Sequence, residues 1–142
     1  MFKGSSIIDF TNNGSMSRLE EADEMFTDCN QLVSIIFGAA PLMTNIDSLL
    51  KRCINLRTFT GAFVNVTSCD SSLFKGCPRL RAVDINLASL TDGTELFRSL
   101  SELEVVRGQF DSLKEGRNMF RDCPRLSEVP DFYEVVNGLG MF

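Results

Sequence analysis

The chain has 142 residues, 44% of them hydrophobic, and a formal net charge of −5. That length suits one domain with a sizeable core, and a diffuse acidic balance without a basic stripe argues against nucleic acid or an anionic membrane surface as partner. No apolar run reaches the roughly 18 residues that span a bilayer, so no membrane insertion is expected, and the absence of histidine removes Ser-His-Asp and Cys-His catalysis in their ordinary forms.

In chain order, one unit recurs. Residues 1–24 read as a divergent opening copy. Met1-Phe2 lies 24 residues before Met25-Phe26, Ser5 falls where later copies carry cysteine, and Ile8 falls where they carry leucine. Ile7, Ile8 and Phe10 make its strand, and Asn12-Asn13-Gly14-Ser15 marks a turn. Ser17 to Phe26 then has an approximate capping box, Ser17 with Glu20, and an acidic first turn. This predicts the best helix of the chain. Glu20, Glu21, Asp23 and Glu24 suit an exposed helix start without calcium.

Copies 25–48, 49–72, 73–95, 96–118 and 119–140 follow, so 1–142 reads as one array. Each opens on a large apolar pair expected on a short helix or turn: Met25-Phe26, Leu49-Leu50, Leu73-Phe74, Leu96-Phe97 and Met119-Phe120. Three residues after the pair stands Cys29, Cys53, Cys77, Leu100 or Cys123. Three further on is Leu32, Leu56, Leu80, Leu103 or Leu126, and three beyond that Ile35, Phe59, Val83, Val106 or Val129. Strands are expected at 32–37, 56–61, 80–85, 103–108 and 126–131. A return segment then carries apolar pairs such as Phe63 and Val66, Leu87 and Leu90, Phe110 and Leu113, and Phe132 and Val135. A circuit this short cannot bury a core alone; stacking buries the columns and aligns the strands in a parallel sheet. The fold class expected is an α/β repeat solenoid of about five to six stacked 23–24 residue repeats, with the sheet on one face and short helices or turns on the other.

The cysteine column fits buried free thiols better than disulfides. Leu100 interrupts it and leaves Cys123 roughly 10 Å from Cys77, two strand spacings away and beyond bridging reach. Buried thiols behave as small hydrophobes. Cys69 lies out of register and is expected to be the one exposed, reactive thiol. No Cys-x-x-Cys motif or phosphate-binding loop occurs, so no catalytic residue, metal or cofactor site is expected.

Met25-Phe26-Thr27-Asp28-Cys29-Asn30-Gln31-Leu32 and Met119-Phe120-Arg121-Asp122-Cys123-Pro124-Arg125-Leu126 resemble the units of BspA-like leucine-rich repeats, over essentially the whole chain. The resemblance implies a leucine-rich-repeat solenoid serving as a binding scaffold in adhesion or surface attachment. It also implies a cell-surface or virion-associated setting, and a structural part of a surface or phage assembly is the alternative role. The opening residues continue into repeat sequence rather than a signal peptide. Leu49-Leu50 for Met-Phe and Leu100 for cysteine depart from the pattern.

Strand alternation places the outward side chains. The candidate ligand face is Ser34, Ile36, Thr58, Thr60, Asp84, Val105, Arg107 and Glu128, with Ala82 and Pro130 beside them, and the partner expected there is a protein or a carbohydrate. Neither end carries a clear polar cap, and Met141-Phe142 stands 22 residues after Met119-Phe120. Self-association through open solenoid ends is therefore expected as well.

Overall fold

The three-residue spacing of the apolar columns has a local cause. In the computed structural model, which describes residues 1–142, Cys29 N–H donates to Phe26 O and Leu32 N–H to Cys29 O, both at 3.1 Å. Successive bonds from residue i+3 to residue i bring every third side chain to the same side. Phe26, Cys29 and Leu32 consequently all point inward and are buried. The corner recurs at Leu50-Cys53-Leu56, Phe74-Cys77-Leu80 and Phe120-Cys123-Leu126.

Past each corner the chain extends into a short strand: β1 (Asp9–Asn12), β2 (Ser34–Phe37), β3 (Thr58–Ala62), β4 (Ala82–Asn86) and β5 (Val105–Gln109). They form one parallel sheet in the order β1-β2-β3-β4-β5, which makes about four turns rather than the five to six repeats expected. Phe10, Ile35, Phe59, Val83 and Val106 stand side by side in register. The molecule is a parallel β-solenoid.

Several expectations need correction. Strands β2 to β5 begin two residues later than expected, because the leucine of each copy still belongs to the corner. At 126–131 no strand forms; Glu128 alone bridges Val105, and Pro130 has no N–H to extend the ladder. In the opening copy Phe10 pairs with Ile35, an offset of 25, so Ile7 and not Ile8 takes the leucine column. Ile7 is half-buried, whereas Ile8 is 60% exposed.

The helix expected over 17–26 does not form, and the molecule contains no helix, so the side opposite the sheet is built from turns. The N–H groups of Ala22, Glu24, Phe26 and Asp28 donate to Asn45, Asp47, Leu49 and Lys51 of the next circuit at 2.9–3.3 Å. Those of Met25, Thr27 and Cys29 donate three residues back. Alternate donors thus leave for the neighbour, and Glu24 and Asp28 take φ of 54° and 62°, which an α-helix cannot contain. Ser48 and Arg52, Glu95 and Ser99, and Asn118 and Asp122 repeat that pair of left-handed positions. A cap contributes about 1 kcal/mol. Burying Met25 and Phe26 against the adjacent circuit outweighs it.

Turn-side backbone bonds link every pair of neighbouring circuits except one. None joins residues 69–77 to 92–100. Ser68 pairs with Asp92 and Phe74 stacks on Phe97, so the earlier circuit has one residue more between these points. Toward the preceding circuit the same turn is held by side chains as well: Asp70 N–H donates to Asp47 Oδ1 at 2.8 Å, and the Ser48 and Ser72 hydroxyls meet at 2.7 Å. The core runs on unbroken beneath, with the Phe74 and Phe97 rings 5.4 Å apart. Above the gap lies a cleft of about 800 Å³ that includes Arg52, Lys75, Gly76, Arg98 and Ser99.

Candidate functional site

The sheet brings most of the expected outward residues onto one surface. Ser34, Thr58, Ala82 and Val105 form one row across the strands, continued by the Glu128 bridge; Thr11, Ile36, Thr60, Asp84 and Arg107 form the next. Ile36, Thr58, Thr60, Asp84, Arg107 and Glu128 are exposed, whereas Ser34, Ala82, Val105 and Pro130 are half-buried.

Their partners decide which remain available to a ligand. The Ser34 hydroxyl donates to Asp9 at 2.6 Å. Arg107 donates to both Glu128 oxygens, at 2.6 and 3.2 Å. This contact raises the arginine from its ordinary pKa and lowers the glutamate. Arg107 thus pairs with Glu128, not with its register neighbour Asp84. Ile36, Thr58, Thr60 and Asp84 are left as an unengaged centre that offers two hydroxyls, one carboxylate and one apolar contact. Such a surface can hold a ligand by hydrogen bonds.

Strand alternation alone misses the residues at the margins of this face. Asn86 at the end of β4 donates to Gln109 at the end of β5. Arg57 and Arg81, immediately before β3 and β4, lie on neighbouring rungs, since Arg81 N–H donates to Arg57 O at 2.9 Å. Their separation by one 24-residue repeat is the signal that places them together.

All five cysteines are free thiols, but the repeated ones are more than small hydrophobes. Cys29, Cys53, Cys77 and Cys123 donate to the carbonyls of Phe2, Phe26, Leu50 and Phe97 in the preceding circuit at 2.9–3.1 Å. Leu100 cannot donate, and it falls at the junction where the turn-side ladder is open. Cys69 is not the one exposed thiol, because it is half-buried, as Cys123 is. Burial, with Asp47, Asp70 and Asp92 nearby, pushes the Cys69 thiol up to about 12, which suppresses the nucleophilic thiolate.

Both ends expose apolar side chains. Met1 and Ile8 do so at one end, and Tyr133, Val136, Leu139 and Phe142 at the other. Phe120, Leu126, Val129 and Phe142 line a cleft of about 690 Å³ at the latter. No helix is long and apolar enough to cross a membrane. Compared with known protein families, with curated proteins and with solved structures, the chain matches none.

Proposed function

We propose that this chain is a non-enzymatic binding scaffold whose strand face recognises a protein or glycan partner in adhesion or surface attachment. The contrast between adjacent columns carries the reading. Ile35, Phe59, Val83 and Val106 are uniformly apolar and buried, while Ile36, Thr60, Asp84 and Arg107, one residue on, differ at every rung and face solvent. An interior that repeats holds the backbone, which leaves the outer side chains free to vary for a ligand, as in solenoid binding surfaces. The resemblance to BspA-like leucine-rich repeats supports the same role, although helices in place of turns are not part of it here.

The test is a glycan array probed with the intact chain, each hit remeasured by calorimetry with Thr60, Asp84 and Arg107 all changed to alanine. The triple variant should keep its strand circular dichroism, because exposed ion pairs contribute little. It should lose at least about tenfold in affinity, equivalent to about 1.4 kcal/mol. Unchanged affinity sinks the strand-face reading.

One observation favours a second role, as a structural part of a surface or phage assembly. Val136 is 82% and Phe142 72% exposed where the core columns end. A second copy presenting its Met1, Phe2 and Ile8 end would continue the stack. Light scattering should then show a mass that rises with concentration and returns to the monomer when Val136 and Phe142 become serine. A wild-type monomer at every concentration removes this reading.

A further inference from the structure

We propose that the cleft formed by Arg57, Arg79 and Arg81 is a binding site for a small oxyanion: a carboxylate, sulfate or phosphate group. The inference does not depend on the strand-face reading, because none of these residues lies on a strand.

The stacking itself creates the site. Arg57 and Arg81 occupy the same slot of successive circuits, joined by the backbone bond between Arg81 N–H and Arg57 O. Neighbouring strands run about 4.8 Å apart, and like charges directly opposite one another are destabilising. Glu104 follows Arg81 in the same slot, its N–H donating to Arg81 O at 2.9 Å, but its carboxylate forms no ion pair with either arginine. Arg57 makes no ion pair. Arg81 reaches only Glu102, at 3.6 Å, and Arg125 holds that carboxylate more closely, at 2.5 Å. Arg79 extends alongside, donating to Asn55 Oδ1 at 2.7 Å.

The cavity matches the chemistry. It measures about 380 Å³ and is lined by Arg57, Pro78, Arg79, Arg81, Ser101 and Glu102. Three guanidiniums face one carboxylate that is already shared. Guanidinium forks bind planar or tetrahedral oxyanions through paired N–H donors, and the Ser101 hydroxyl is a further donor on the wall. An oxyanion seated here would neutralise the like-charge pair and so stabilise the fold by mass action.

The experiment is an amide chemical-shift titration of the intact chain with sodium sulfate, sodium phosphate, glucuronate and glucose 6-sulfate. Sodium chloride at matched ionic strength is the screening control. Saturable shifts are expected at residues 57, 79, 81, 101 and 102. Changing Arg57 and Arg81 together to glutamine should weaken them at least tenfold, and Arg18→Gln should leave them unchanged. Lysine at both positions keeps the charge without the fork and should fall between. Tighter binding of the sugar-borne anions supports an anionic group on a larger ligand; tighter binding of the inorganic ions supports a free ion. The proposal is overturned if chloride reproduces the shifts, if the glutamine variant binds as the wild type does, or if no probe saturates.

Discussion

Phe97→Ala should be the most damaging single change in the molecule, costing about 3–5 kcal/mol from the lost side chain and its cavity. Phe97 is fully buried and stacks on Phe74 at 5.4 Å and on Phe120 at 5.2 Å, with Phe110 edge-on at 6.4 Å. Each such aromatic pair adds about 0.5–1.5 kcal/mol beyond burial. Its position compounds the loss. Phe97 lies at the junction without turn-side backbone bonds, so on that side the aromatic stack takes over from the ladder, while the sheet and the return segments bond the circuits elsewhere. Domains of this size have only about 5–15 kcal/mol of stability in total. Urea unfolding followed by circular dichroism should show a much lower midpoint, or separate transitions of the two halves. Phe142→Ala is the matched control. Phe142 also stacks, on Phe120 at 5.5 Å, but it is 72% exposed and should cost far less. Equal losses for the two variants would mean that position along the stack does not govern stability.

The inward face was legible in the sequence because its requirement is repeated. Spacing by three at Phe26, Cys29 and Leu32 reflects a corner that recurs from circuit to circuit, and Ile35 follows on the strand, so five copies reveal what one would hide. The backbone between those anchors was not legible. Ser17, Glu20 and the acids after them carry real helix-start chemistry, but propensity is local and the competing bonds run to residues 45–51, supplied by another circuit. The gap beside 69–77 was harder still. One added residue between Ser68 and Phe74 leaves the apolar columns in register while it shifts every turn-side donor. On the candidate face, alternation placed Thr60 and Asp84 correctly outward, but it could not tell that Arg107 is already held by Glu128. Arg57 and Arg81 lay outside the strand pattern, although the repeat period alone aligns them.

Alkaline pH should unfold this protein well before its arginines titrate, and the thiols shielded from water are the cause. Burial raises Cys69 and Cys77 from 9.0 to about 12 and moves Cys53 in the same direction. A thiol raised in the folded state is kept neutral there, whereas the unfolded chain ionises it from about pH 9. The stabilisation is therefore fully present below pH 9 and is lost as pH rises from 9 toward 12. Each such thiol contributes a slope of about 1.4 kcal/mol per pH unit in that window. Two of them together weigh against the fold by an amount comparable with the whole stability of an ordinary domain. Urea midpoints measured under reducing conditions at pH 7, 9, 10 and 11 should be level to pH 9 and then fall steeply. Cys77→Ser separates the thiols from other titrating groups, because a hydroxyl can still donate to Leu50 O but does not ionise in this range. That variant should give up about one proton's worth of slope above pH 9. An identical slope in the serine variant would show that the buried thiols do not set the alkaline limit. The slot that a leucine-rich pattern reads as apolar would then be no more than a packing position.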